Sequence, residues 1–505
     1  MRIALGFAKR AAVWLAALYL AVISGFAASA WWRLPDLKSW HQITLEGEFR
    51  ADAAGAATSF SAYMERENAL FAELKRTLAA PTSARDAGPF GRYGNRSVVA
   101  ELAQTGAGNR TTVRVHPQSQ GAVLLLHGLT DGPYSLGALG ERFYQNQISV
   151  VSVRLPGHGT LPAELIGVRW EDWYAVVKLA AAEATRLSPR QPLYIVGYST
   201  GAPLALLYAL DALEDPALED PAFKAPAEMF LLSPALGVSK LGFVSLIAAQ
   251  LAFIPGLEKA RWLDVYPEAD PYKYASFPIN GGRQIWRLTR SLNQRLANAK
   301  DSGGLDNLPR LTVFQSLVDA TVAPRATLAF LNALPARKSG SAHEFVLFDL
   351  NRHERLSALI NPIYRAQADE MADAGPFLFD TALISNRDAS SADVAEYARS
   401  AGARSTQTIA LPLSWPADLL SLSHVALPFK VDDPLYGLTP AIKEGQFTLG
   451  GPAPRGENGA LALPLGHLAR IRSNPFFEVI GKRVDRAIGS PSAAIPPAKI
   501  NPPNP

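Results

Sequence analysis

The sequence predicts an α/β fold: a mostly parallel sheet covered by helices on both faces. Two observations carry that reading. Between Gly121 and Val196, short apolar runs alternate with amphipathic stretches. Residues 122–126, 149–153 and 193–196 are strands of the fully buried kind, and 136–145 and 170–187 have helical spacing. Alternation of this kind feeds parallel strands through crossover helices. The second observation is the stretch "LYIVGYSTGAPLALLYAL", residues 193–210, in which an apolar run turns directly into a helix around one serine.

In that stretch Gly197-Tyr198-Ser199-Thr200-Gly201 has the form G-x-S-x-G. A strand bending sharply into a helix leaves no room for Cβ atoms beside the bend, so both flanking positions call for glycine. Pro203 falls in the first helical turn, where its missing N–H is no loss. The turn lifts Ser199 to the carboxyl edge of the sheet. The alternative is an ordinary serine in a strand–helix turn, and the order strand, elbow, helix favours a nucleophile.

The remaining elements follow in chain order. After Lys9-Arg10 the chain runs from Ala11 to Trp32 without a charge, long enough to cross a bilayer as a helix. Trp31 and Trp32 close it where an aromatic belt lies, and the preceding basic residues orient the body to the periplasmic or extracytoplasmic side. A cleaved signal peptide is the competing reading, since Ala28-Ser29-Ala30 suits a cleavage site. Residues 60–78 read as a helix packed outside the main sheet. Residues 229–233 and 311–315 are further strands, separated by an insertion at 237–308 rich in aromatics, among them Phe243, Trp262, Tyr274 and Trp286. So long an interruption is read as a cap at the carboxyl edge of the sheet, lining an apolar pocket or forming its own small core. Beyond Asp319, residues 344–350 and 377–385 read as strands, 392–401 as a helix and 406–411 as a strand. The expected organisation is an anchor or signal peptide at 1–33, a helical or extended segment at 34–120, a core at 121–236 and 309–440 interrupted by the cap, an extension at 441–489, and a disordered tail at 490–505, rich in Pro, Ala and Ser.

Composition narrows the function classes. The 505 residues are 48% hydrophobic and carry a formal charge of +4, with the basic residues dispersed. This argues against a nucleic-acid partner. With no cysteine, disulfides, thiolate metal sites and a thiol nucleophile are excluded.

A serine nucleophile needs a base, a group to orient the base, and donors for the oxyanion. "VLLLHGLTDGPYS" sets His127-Gly128-Leu129 at the end of the first strong strand, so the amides of Leu129 and Thr200 are the natural donor pair. His127 reads as a residue shaping that loop. "LTVFQSLVDATVAP" sets Asp319 after a strand, where its carboxylate can reach an imidazole, or else cap the helix starting near Ala323. Two histidines follow. His353 in "FDLNRHERLSALI" has charged neighbours, and His424 in "LLSLSHVALPFKVDDPLYG" has small and apolar ones. Local reasoning leaves both open.

The ordered set "LLLHGLTDGPYSL", "RLPGHGT", "GYSTG" and "QSLVDATVAP", spanning Gly121 to Pro324, resembles the α/β-hydrolase superfamily, on the side of bacterial carboxylesterases and monoacylglycerol lipases. The resemblance implies an α/β-hydrolase fold and a Ser199–Asp319–His triad, with His158 of the "PGHG" turn structural. "SLSHVALPF" followed by "DDPLYG" resembles the histidine segment of membrane-associated relatives, which implies His424 as the base, with His353 the alternative. The expected function is hydrolysis of a carboxylic ester, of small-molecule or lipid type, through an acyl-enzyme, with no metal or organic cofactor. The alternatives are an acyltransferase using the same acyl-enzyme, or a non-catalytic membrane-anchored binding protein.

Overall fold

The computed structural model describes residues 34–54, 59–79, 91–94, 97–105, 107–214, 224–237, 258–338, 340–439, 448–450 and 470–489, together with part of 13–33. Most of the apolar N-terminal run, part of the insertion, part of the 441–489 extension and the tail from 490 lie outside the described residues. Of the N-terminal run, Val13, Trp14 and residues 31–33 are helical, and Trp14, Trp31 and Trp32 are exposed. Among the described residues no helix is long and apolar enough to cross a membrane.

The centre of the molecule is a ten-stranded sheet among the described residues. Its strands are β1 (Thr112–Arg114), β2 (Gly121–Leu126), β3 (Ile148–Val153), β4 (Leu193–Tyr198) and β5 (Glu228–Leu232) in the first part of the chain. After a separate hairpin of β6 (Trp262–Asp264) and β7 (Phe277–Pro278) come β8 (Arg310–Ser316), β9 (Glu344–Phe348), β10 (Asp380–Asn386), β11 (Asp393–Arg399) and β12 (Gln407–Ser414). The spatial order is β1-β3-β2-β4-β5-β8-β9-β10-β11-β12. Pairing is parallel from β3 through β10, and antiparallel at β1–β3, β10–β11 and β11–β12.

Side-chain alternation explains the two covered faces. In β2, Ala122, Leu124 and Leu126 enter one hydrophobic cluster, and Val123 and Leu125 enter the other. In β4, Leu193 and Ile195 point to the first, Tyr194 and Val196 to the second. The first face is covered by the Trp170–Leu187 and Gly201–Glu214 helices, with Leu288 and Leu292 of the Ile279–Asp301 helix in the same cluster. The second contains Leu139 and Phe143 of the Gly137–Gln145 helix and Val479, Ile480 and Val484 of the Phe477–Ala487 helix. The sheet therefore begins before the expected core boundary at 121, and the 441–489 segment contributes a helix to the central packing.

One expected element is overturned. Within the expected helix at 392–401, residues 393–399 form strand β11 instead. The alanines and charges of "ADVAEYARSA" favour a helix locally, but pairing with β10 on one side and β12 on the other satisfies the backbone in a meander.

The N-terminal segment is tied to the sheet by buried charge. Arg154, at the end of β3, is 1% exposed and makes a bidentate contact with Glu48 and a third bond to Glu67. Glu67 lies on the Phe60–Leu78 helix and also accepts from the Thr111 amide and hydroxyl. Near this cluster, buried Glu164 accepts a hydrogen bond from the Leu45 amide. Burial, and then the charge of Glu48, push its carboxyl up to about 8. A carboxyl raised on folding binds more protons in the native state, so its contribution to stability declines as pH rises from about 4.5 through about 8. Denaturant titrations at about pH 5 and about pH 8.5 should show that decline, a few kcal/mol at most, flattened in Glu164→Gln. An equally steep decline in the variant would place the titration elsewhere.

Candidate active site

Ser199 stands where β4 turns into the Gly201–Glu214 helix, at φ +52°, in the left-handed region. Its amide donates to the Leu232 carbonyl at 2.9 Å, and its carbonyl accepts from the Ala235 amide at 3.1 Å. Strand β5 and the loop after it thus hold a conformation that costs a non-glycine residue about 1–2 kcal/mol. The flanking glycines are required by contact: a Cβ on Gly201 would lie 2.0 Å from the Leu126 carbonyl oxygen, and one on Gly197 2.7 Å from the Ala202 Cα. The serine is 8% exposed.

His424 begins a short 3₁₀ turn, His424–Ala426, and is 5% exposed. Its Nδ1 lies 2.9 Å from Asp319 Oδ2. The other carboxylate oxygen, Oδ1, accepts from the amides of Thr321 and Val322 at 2.8 and 2.9 Å. Asp319 therefore caps its own loop, while Ala323 holds the N-cap position of the Pro324–Ala333 helix. Burial raises the Asp319 carboxyl, but the charge and hydrogen bond of His424 and the two amides outweigh it and hold the group below its ordinary value. Tyr198 braces the histidine from below, its hydroxyl donating to the His424 carbonyl at 3.3 Å and its ring 5.4 Å away.

The long passage from Asp319 to His424 has a simple geometry. Leu350, just past β9, pairs with Ser421, and the Asn351 amide donates to the Leu420 carbonyl at 2.8 Å. The chain leaves the centre at β9, makes the β10–β12 meander, and returns to the same point three residues before His424. His353 lies on the outgoing side. It is the N-cap of the 3₁₀ helix Glu354–Leu359, with Nδ1 accepting from the Arg355 amide, and it is not part of the cavity that Ser199 and His424 share.

Leu129 lies past the carboxyl end of β2, and Thr200 past that of β4. Among the described residues the amides of Leu129 and Thr200 donate to no protein acceptor. His127 is fully enclosed, with Nδ1 2.9 Å from the Gly128 carbonyl and Nε2 accepting from the Leu155 amide at 3.0 Å. Burial and the neighbouring His158 push its pKa far down, so it is a neutral strut with its proton on Nδ1. His158 is likewise held neutral by burial, at about 4, with Nδ1 at the Leu155 and Pro156 carbonyls.

Ser199 and His424 open on one cavity of about 550 Å³. Phe277, Ile279 and Ile285, from β7 and the Ile279–Asp301 helix, line its apolar part, and Leu263 and Asp264 of β6 also border it. The charged lining residues Asp131, Asp264, Asp270, Lys273, Arg470 and Arg472 were not read from the sequence. Asp131 stands in the quoted "HGLTDG" loop, and its position two residues after Leu129 was the one available signal.

A parallel sheet wound in both directions from β2 and β4, a nucleophile-type elbow at β4, and loops converging at the strands' carboxyl ends define an α/β-hydrolase fold. Residues 117–357 match the family described as serine aminopeptidase, S33. That segment contains Ser199 and Asp319 and ends before His424. A thermostable monoacylglycerol lipase of Bacillus sp. (strain H-257) is 32% identical over 87 residues, 17% of this chain, and the chain spans 34% of that lipase's length. Among solved structures, one from a study of LipS and LipT, two metagenome-derived lipolytic enzymes, matches 52% of this chain and 96% of its own at 23% identity and a TM-score of 0.35. The monoacylglycerol lipase of Paleococcus ferrophilus matches 51% of this chain and 96% of its own at 17% identity, also with a TM-score of 0.35.

The glycine contacts give a direct test of the elbow. Gly201→Ala should lower the thermal midpoint by roughly 5 °C or more, because the new methyl meets backbone rather than a movable side chain. Gly137→Ala, where a Cβ meets nothing within 4 Å, should be neutral or slightly stabilising. Equal melting of the two variants would remove the steric reading.

Proposed function

We propose that the protein is a membrane-associated serine hydrolase that cleaves carboxylic esters of lipid-like acids. The observation that carries this reading is the 2.9 Å contact of His424 Nδ1 with Asp319 Oδ2 in a cavity shared with Ser199. In the proposed cycle His424 takes the Ser199 hydroxyl proton as Oγ attacks the ester carbonyl. Asp319 keeps the imidazole in the tautomer with Nδ1–H and offsets its positive charge. The Leu129 and Thr200 amides receive the oxyanion, with the N-terminus of the Gly201–Glu214 helix beside them. The imidazolium then protonates the leaving alcohol. Water then gives a proton to His424 as it attacks the acyl-enzyme, and His424 returns that proton to Ser199 Oγ as the acid leaves.

The lipid part rests on the apolar wall of the cavity and on the segment match to a monoacylglycerol lipase. Membrane association rests on the uncharged run from Ala11 to Trp32 and on where that run meets the body. Arg33 donates to the Leu263 carbonyl at 2.7 Å, and Leu34 packs with Trp262 and Val265. The apolar segment thus joins the protein at the hairpin that borders the cavity, which favours a substrate delivered from a lipid surface. The body is assigned to the extracytoplasmic side.

Labelling with a fluorophosphonate and turnover of p-nitrophenyl esters by the detergent-solubilised full chain test this reading. Ser199→Ala should abolish labelling, and His424→Ala should lower kcat by roughly 10⁴-fold or more, while His353→Ala keeps near-wild-type activity. Decanoyl esters should be preferred over acetyl by kcat/KM; no preference would remove the lipid part. An unlabelled, folded wild type would sink the hydrolase reading, and product analysis with a competing alcohol separates hydrolysis from acyl transfer.

A further inference from the structure

Asp131 follows the loop that supplies the Leu129 amide and is 4% exposed. A methyl placed on Gly128 would lie 3.1 Å from both Asp131 Oδ2 and Ser199 Cβ, so the carboxylate and the nucleophile flank one glycine. A carboxylate there opposes the negative charge that develops on a substrate oxygen in the adjoining oxyanion site. The structure supplies a counter-charge from outside the loop. Lys273, in the segment joining β6 to β7, places Nζ 3.2 and 3.1 Å from the two Asp131 oxygens. The next residue, Tyr274, donates its amide to the Thr130 carbonyl at 2.9 Å. Thr130 itself is at φ +66°, and the Asp131 amide closes the turn on the Gly128 carbonyl.

We propose that Lys273 and Asp131 are positioning residues of the oxyanion site. Lys273 neutralises the carboxylate beside Ser199, and together with Tyr274 it pins the strained Gly128–Asp131 turn from the segment between β6 and β7. This rests on the serine-hydrolase reading above. The other titratable groups acting on Asp131 are Asp270, itself bonded to Arg472 and the Tyr436 hydroxyl, together with Tyr436, Tyr198 and His424. Among the described residues, Lys273 is the charged group hydrogen-bonded to Asp131. Burial raises the Asp131 carboxyl and Lys273 pulls it back toward the ionised form.

The pair is testable because the two charges should compensate. In the full-length chain turning over a decanoyl ester, Lys273→Met should lower kcat roughly 10- to 100-fold, with KM changed by less than about threefold. Lys273→Arg keeps the charge and should retain most activity. Adding Asp131→Asn to Lys273→Met should recover most of the loss, an outcome that simple destabilisation cannot produce. A double variant as poor as the single one, in protein melting like wild type, overturns the pair. So does an active wild type that tolerates Lys273→Met. Inactive wild type instead overturns the hydrolase reading, and this inference with it.

Discussion

The site depends on how closely the Gly201–Glu214 helix approaches strand β2. With no side chain at Gly201, the helix N-terminus seats directly over the Leu126 carbonyl, and β4 and β2 stay paired up to the elbow. That contact keeps the loop after β2, with Leu129, and the elbow after β4, with Ser199 and Thr200, at the same edge of the sheet. A methyl group at this point would separate β2 and the loop that follows it from the elbow at Ser199. The left-handed Ser199 backbone is the local cost of the arrangement, and the bonds from β5 and its following loop maintain it.

Around this centre, buried ion pairs decide where the long accessory segments lie. Arg154 draws Glu48 and Glu67 onto the end of β3. Arg483, on the Phe477–Ala487 helix, bonds Glu344 of β9 and Glu396 of β11 at 3.0 and 2.8 Å. Arg142 adds a two-pronged contact to Asp485. Charges removed from water in this way contribute little net stability, but breaking one partner costs about 3–5 kcal/mol. In this chain they act as locators, since an alternative docking of either end would leave a buried guanidinium unpaired.

The same economy of position applies at the carboxyl edge of the sheet. Asp319 comes from the loop after β8, His424 from a chain returning out of the β10–β12 meander, and Lys273 from between the strands of a separate hairpin. The Leu350–Ser421 pairing closes the detour, so that strands added at the sheet's edge leave the Asp319–His424 contact undisturbed.

From the sequence by itself came the buried parallel strands, the helices at 60–78 and 170–187, and the elbow with both its glycines. These are local matters: a 3.6- or two-residue period and the absence of Cβ are written in consecutive residues. Ser199, Leu129, Thr200 and Asp319 could be placed at strand ends for the same reason. That His424 is the histidine beside Asp319 belongs to the tertiary structure, because His353 also follows Asp319 and both sit in plausible local settings. Tertiary structure also made a strand of Ala-rich 393–399, where two pairing partners outweigh helix propensity. The Asp131–Lys273 contact belongs to this second class. An ion pair across 142 residues has no period and no spacing to read, and it exists only once the fold has carried its two halves to the same glycine.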